Sequence, residues 1–379
     1  MPNVYVPRIW KMHILITADT IGGVWTYTQE LVSGLVRRGI RVTLVSFGDI
    51  PRPEQMEWMD GLASLDYHPT AFKLEWMQDC ESDLVASAEY LESIIRESKP
   101  DLLHLSQFYY GALRCQAPRV VVAHSDVVSW WMEVRQQEPP ESDWSRWYRA
   151  AVSRGIAKAN AVVAPSRWML EQIAKHYVTP GWGSVIHNGR NPLLFNPHVT
   201  KDELIVTVGR IWDSGKNTGL LLQQQMPAPV TIAGAKHHPE SKGSALSEKE
   251  MRNNIHFEPH QNEKQLCQLF ARAPIYAATS RYEPFGLAPL EAALSRCAIV
   301  ASDIAPFREL WEGAAVFFRN NDAQSLRQAL EPLIAEPQLR VQYANLAYNH
   351  ARQKFNAERM VDEYLNIYKA LAPAAALTA

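Results

Sequence analysis

The 379-residue sequence holds no run of eighteen uninterrupted apolar residues, so no membrane-spanning helix is expected. Its four cysteines, Cys80, Cys115, Cys267 and Cys297, are scattered and form no Cys-x-x-Cys pair. That spacing argues against a zinc site or a disulfide framework. Isolated thiols fit a reducing compartment, so a cytoplasmic location is expected. The formal net charge is only −2, and no global field points to a nucleic-acid partner. There is no Asp-x-Asp to hold a metal–diphosphate complex. A Gly-x-Ser-x-Gly elbow, which would support a hydrolase triad built on His124 and Asp126 with a distant Ser, is missing. So is the Gly-x-Gly-x-x-Gly fingerprint of dinucleotide binding. Neither a metal site nor a cofactor is therefore expected. Residues 1–11 lack an apolar core segment and a small-residue cleavage site, so no secretory leader is expected there.

Against these absences stands an ordinary globular composition, 47% apolar and 21% charged. The length suits two domains, each with a sizeable core. A β-prone run over 12–17 leads through Gly22-Gly23 into a helical pattern over 24–38, with Tyr27, Leu31 and Leu35 on one face. Gly39 closes that helix and a strand over 41–47 follows, which predicts a parallel pair. The same alternation predicts helices over 84–97 and 148–159, and strands over 102–105, 120–123, 161–164 and 185–186. A Pro- and Asn-rich connection over 191–197 reads as an interdomain hinge. Beyond it the pattern restarts. Strands are predicted over 204–209, 230–233, 255–257, 275–278 and 298–301. Helices are predicted near 217, over 263–272 and 287–296, and then to the end. Residues 236–250 are polar and read as a surface loop. The expected architecture is α/β, two doubly wound Rossmann-like domains over 12–190 and 198–352 facing each other across a cleft. A last apolar stripe, Met360, Val361, Tyr364, Tyr368 and Leu371, predicts a helix within 353–372 that packs back on the first domain.

Four clusters carry chemistry-bearing residues at strand ends. Gly22-Gly23 opens the first helix and admits close backbone approach. His124 follows a strand. Arg210 and Lys216, after Gly209, pair a planar fork with a mobile point charge, as a diphosphate requires. This segment is not a nucleotide-triphosphate loop: five residues separate Gly209 from Gly215, and Asn217 stands where Ser or Thr would hold magnesium. The fourth cluster runs from Arg281 through Glu283-Pro-Phe285-Gly286-Leu287 to Glu291. Pro289 suits a first helical turn, and the free N–H groups there favour an anion. Read singly, each has a plainer account: a tight turn, a core histidine, surface basicity, or an acid favoured near a helix start.

Together, and in this order, these residues resemble the GT-B retaining glycosyltransferases of family 4, glycosyl transferase group 1. The resemblance spans nearly the whole chain from Met12. It is sharpest in Glu283 and Glu291, separated by seven residues after Arg281-Tyr282. It implies a hexosyltransferase that uses a nucleoside-diphosphate sugar, with a UDP-linked hexose expected, and retains configuration by metal-independent front-face attack. Arg210 and Lys216 would neutralise the diphosphate. Glu283 would contact the donor sugar, with His124 orienting it. Backbone amides at Phe285, Gly286 and Leu287 would hold sugar and phosphate, and Glu291 the ribose. Gly23 would let donor and acceptor approach. Residues 255–260 lack the glycine that the family usually places near the nucleobase. Trp25, Trp130 and Trp131 are either acceptor-side residues or core tryptophans, and Arg149, Arg154 and Lys158 read more simply as a solvated basic helix face than as a peripheral membrane contact. A sugar-nucleotide epimerase and a non-catalytic sugar-nucleotide binder are the alternatives on this fold.

Overall fold

In the computed structural model, residues 12–234 and 254–372 are described. Residues 1–11 and the loop expected over 236–250 lie outside them. The first domain runs β1 (His13–Asp19), α1 (Gly23–Arg37), β2 (Arg41–Phe47), α2 (Pro53–Met56), β3 (Leu65–Pro69), α3 (Glu81–Ser98), β4 (Leu102–Leu105), β5 (Arg119–Val122), α4 (Val127–Arg135), α5 (Asp143–Lys158), β6 (Ala161–Ala164), α6 (Arg167–His176) and β7 (Gly183–Val185). The second runs β8 (Ile205–Val208), β9 (Val230–Ala233), β10 (Ile255–Glu258), α7 (Glu263–Arg272), β11 (Ile275–Ala278), α8 (Leu287–Leu294), β12 (Ala298–Ser302), α9 (Ala305–Trp311) and β13 (Val316–Phe318). The helices α10 (Ala323–Ala335), α11 (Pro337–Lys354) and α12 (Ala357–Leu371) follow, and α12 is the last element among the described residues.

Strand order is β3-β2-β1-β4-β5-β6-β7 in one sheet and β10-β9-β8-β11-β12-β13 in the other. Among the described residues every strand pair in the two sheets is parallel. The expected pair of doubly wound sheets is therefore present. Runs such as Val-Val-Val of β5 and Ile-Val-Thr of β8 are buried because helices cover both faces of a parallel sheet. Strand order reverses between β1 and β4, and again between β8 and β11. Each reversal opens a crevice at the carboxyl ends of the strands.

Most predicted elements fall where the periodicity puts them. The helix expected near 217 is only a single 3-10 turn, Thr218–Leu222. Asn217 before it has φ 51°, a left-handed conformation that cannot propagate an α-helix. The strand β13 spans only three residues and α4 carries no clean helical stripe, whereas the unpredicted β3 does alternate, Leu65 and Tyr67 against Asp66 and His68, and the unpredicted α6 buries Met169 and Ile173 four apart. What starts α4 and α6 is capping: Asp126 accepts from Ser129 N at 2.9 Å, and Ser166 from Met169 N at 3.2 Å.

The helix α12 lies on α1. Its Met360, Val361, Tyr364, Ile367 and Tyr368 join Ile14, Leu31, Val32 and Leu35 in one core. Gly34 permits this approach: a Cβ there would stand 2.5 Å from Val361 Cγ2. Val361 is β-branched and cannot swing aside cheaply. Gly34→Leu is therefore expected to lower stability by about 1–3 kcal/mol through overpacking. A lower urea midpoint at unchanged slope would register it. The chain crosses between domains twice, and the crossings pair: Arg190 N donates to Phe355 O at 3.0 Å and Ala357 N to Arg190 O at 3.2 Å.

Candidate active site

The loops after β8 and β11 meet at the second sheet's switch point. Arg210 and Lys216 follow β8, and Arg281 to Leu287 link β11 to α8. Arg281 N donates to Gly215 O at 2.8 Å, and Thr279 Oγ1 to Lys216 O at 2.9 Å. These bonds bring Lys216 onto Glu283. Lys216 Nζ lies 2.5 Å from Glu283 Oε2, which also accepts from Ser280 Oγ at 3.2 Å. The Lys216 stem passes over Gly209, where a Cβ would stand 3.3 Å from its Cγ. Arg210 pairs with Asp213 at 2.8 Å and lies over the ring of Trp212 at 5.2 Å, and its side chain stays 39% exposed. That exposure leaves the guanidinium reachable by a ligand.

Glycine sets both helix starts that face this cluster. Gly286 caps α8 at φ +86° with no side-chain cap, so the first amides of α8 stay free for a ligand. Gly22 caps α1 at φ +91°, also without a side-chain cap. The two starts converge: a Cβ on Gly23 would stand 3.4 Å from Leu287 Cδ1. Two helix N-termini from different domains thus flank one spot, beside one lysine and one arginine. Phe285 is buried against His187 and Phe355, so only its backbone is turned to this spot.

On the first-domain side, His124 follows β5. Its ring packs edge-on against Tyr27 at 4.7 Å, and Nε2 lies 3.4 Å from Ser106 Oγ. Burial drives its imidazole down to about 3, so it is neutral at physiological pH and offers one donor and one acceptor. The indole of Trp130 abuts Gly215 across the cleft, where a Cβ would stand 2.8 Å from Nε1. Trp131 packs edge-on against Trp130 at 5.9 Å. Trp25 departs from the acceptor-side expectation. It is 6% exposed, packs against Trp58 and Tyr67, and donates its Nε1 to Gln55 O at 3.1 Å. It faces the core because its helical position shares the α1 stripe that the sheet covers. Arg149, one of the candidate membrane-facing cations, is paired with Glu138.

Several contributors escaped the sequence reading. Asp19 ends β1 beside the glycine turn. Burial pushes it up to about 7, while Ile21 N–H, the Trp76 indole and the charge of Arg210 oppose that rise. A carboxylate at the carboxyl end of the first strand was the available signal. Tyr282 crosses the cleft, its hydroxyl accepting from Asp126 N at 3.1 Å. Glu309 of α9 caps α6 of the other domain, accepting from Arg167 N at 2.7 Å and Trp168 N at 2.9 Å. Glu291 is buried in α8 against Arg190, a partner that no local spacing announces. Two surface hollows of about 350 and 470 Å³ lie elsewhere, one beside β13 and α10 and one along 192–198, and neither is lined by these cleft residues.

Residues 21–192 match the model of glycosyltransferase family 4, and residues 195–350 match that of the glycosyl transferases group 1. The chain belongs to the group 1 glycosyltransferases. It is thus a transferase enzyme of the GT-B fold. The lipopolysaccharide core biosynthesis mannosyltransferase LpcC of Rhizobium leguminosarum is 39% identical over 105 residues, 27% of this chain and 30% of the relative. The O-antigen chain mannosyltransferase C of Escherichia coli is 23% identical over 96% of this chain and 98% of its own. Among solved structures, sucrose-phosphate synthase from Thermosynechococcus elongatus superposes with a TM-score of 0.77 at 17% identity, covering 96% of this chain and 100% of that one. Anabaena HepE in complex with UDP and glucose gives 0.73 at 15% identity, covering 95% and 100%. In this group 1 glycosyltransferase, among the described residues, no helix is long and apolar enough to cross a membrane.

Proposed function

We propose that the enzyme transfers a hexose from a UDP-linked donor to an acceptor hydroxyl, with retention and without a metal. The observation that carries this reading is the convergence of two uncapped helix N-termini on one spot beside Lys216 and Arg210. A diphosphate is the natural ligand there, since amide dipoles and two cations stabilise the charge that grows as the glycosyl bond breaks. Glu283, already held by Lys216 and Ser280, accepts from a donor-sugar hydroxyl. Neutral His124 hydrogen-bonds the same sugar. Glu291 takes the ribose diol. In front-face attack the leaving phosphate oxygen accepts the acceptor proton, so no protein nucleophile is needed. The UDP held by HepE favours uridine, and a nucleotide-sugar donor together with the free thiols favours a cytoplasmic site. Two relatives named as mannosyltransferases support a second reading of the donor, a mannosyl nucleotide.

A donor screen with UDP-glucose and GDP-mannose separates these readings, with nucleoside-diphosphate release followed over a panel of acceptors. Release is expected to persist in excess chelator, and the product anomer, read by NMR, to match the donor's. Abolition by chelator would refute the metal-free mechanism, and an inverted product the retaining one. Interconversion of donor sugars without acceptor would instead indicate an epimerase, and binding without any turnover a non-catalytic binder.

A further inference from the structure

Glu291 is held by an arginine from the interdomain crossing. Its Oε1 lies 3.0 Å from Arg190 Nε. The same guanidinium reaches Glu30 of α1 at 2.7 Å through Nη1, and through Nη2 it reaches Glu263, the first residue of α7. Its face lies over Phe195 at 5.5 Å. The Arg190 side chain is 1% exposed, and its backbone is the point where the two crossings pair. Glu30 also accepts from Asn191 N at 2.9 Å.

We propose that Arg190 is the positioning residue for Glu291, aiming its carboxylate at the donor ribose and tying that site, through Glu30, to the first domain. The proposal rests on the assignment of the ribose to Glu291 made above. A guanidinium is a rigid planar fork. Two of its nitrogens hydrogen-bond Glu30 and Glu263, and the third, Nε, makes a charge contact with Glu291 without hydrogen-bond geometry, which holds Glu291 relative to α1, α7 and the crossing together. This charge contact favours the Glu291 rotamer that faces Arg190 over those that a lone glutamate on α8 would also visit.

The cluster also sets the charge of Glu291. Three carboxylates share one cation. Burial pushes Glu291 up to about 7; Arg190 pulls it down, and Glu263 and Glu30 push it up. Glu30 is itself raised by burial, against Arg190 and the Asn191 N–H. Cys267 and Tyr276 also face Glu291, but burial pushes the Cys267 thiol up to about 12 and the Tyr276 hydroxyl higher still, so both stay neutral near pH 7. A ribose diol donates more strongly to a carboxylate than to a carboxylic acid. Donor binding therefore strengthens as pH rises through Glu291's titration. Removing the cation raises that titration and removing a neighbouring anion lowers it, so the two changes move the acid limb in opposite directions.

The test is the pH dependence of UDP-glucose affinity, or of GDP-mannose affinity if the screen selects it, in wild type, Arg190→Gln, Glu263→Gln and Glu291→Ala. Wild-type affinity is expected to weaken as pH falls through the neutral range. Arg190→Gln moves that limb to higher pH by roughly 1–3 units and raises donor KM more than it lowers kcat. Glu263→Gln, at a half-exposed position that tolerates change, moves it to lower pH. A limb left in place by Glu263→Gln, or by folded Arg190→Gln, overturns the proposal. So does a wild-type affinity that is flat between about pH 5 and 8. Should Glu291→Ala bind the donor as tightly as wild type, it is the ribose assignment that fails.

Discussion

Lys216→Met lowers kcat about 10²–10³-fold, the loss found when one preorganised donor to a developing anion is removed. Methionine keeps the unbranched stem over Gly209 and removes only the charge. Two effects combine. The diphosphate loses a cation just as its negative charge grows, which raises the barrier to bond breaking more than it weakens ground-state binding. Glu283, only 14% exposed, also loses its 2.5 Å partner and keeps Ser280 alone. A carboxylate left that way stays buried without compensation. The two contributions separate in a double-mutant cycle with Glu283→Gln. If Lys216 acts on the phosphate directly, Lys216→Met still costs rate in the Glu283→Gln background. A double variant no slower than Glu283→Gln alone would reduce Lys216 to a support for Glu283. Single-turnover release of nucleoside diphosphate reads the chemical step directly.

The fold was legible because its signals are local and repeat. Each β-branched run followed by an apolar stripe names a strand–helix unit, and two series of such units name two doubly wound sheets. Residues at the carboxyl ends of β8 and β11 were legible for the same reason, since strand ends at a switch point are where ligands bind. Glu283 and Lys216 were both foreseen, but their ion pair was not, because 67 positions separate them and bonds between distant loops, such as those of Gly215 and Lys216 to Arg281 and Thr279, bring them together. Arg190 was less legible still. It stands inside a segment that reads as a hinge, and three carboxylates from α1, α7 and α8 meet it only once both domains are assembled. Trp25 shows how the structure decides between two open readings. An aromatic beside a glycine turn suggested a sugar platform, yet its place on the α1 stripe buries it against Trp58. The face on which a residue sits outweighs its nearness in sequence to a site.

Gly286→Val is expected to cost roughly 10²-fold in kcat/KM, the scale of misplacing reacting groups by about 1 Å. Gly286 holds φ +86°, where a β-branched residue is strongly disfavoured, and that strain alone is worth about 1–3 kcal/mol. The space is closed as well. A Cβ would stand 2.9 Å from Pro289 Cγ and 3.1 Å from Glu283 Cγ. Relieving the first contact shifts the opening turn of α8 and its free amides. Relieving the second shifts Glu283 and, with it, the hold on Lys216. Both escapes run into the proposed donor site, so stability and activity should fall together. Gly286→Ala carries the same φ and a single added carbon, and should lie between wild type and Gly286→Val on both scales. Melting temperature and kcat/KM of the folded enzyme, measured across the three proteins, decide the point. Loss of stability with kcat/KM intact would mean that the chain absorbs the strain elsewhere, and that the glycine serves the turn and not the ligand.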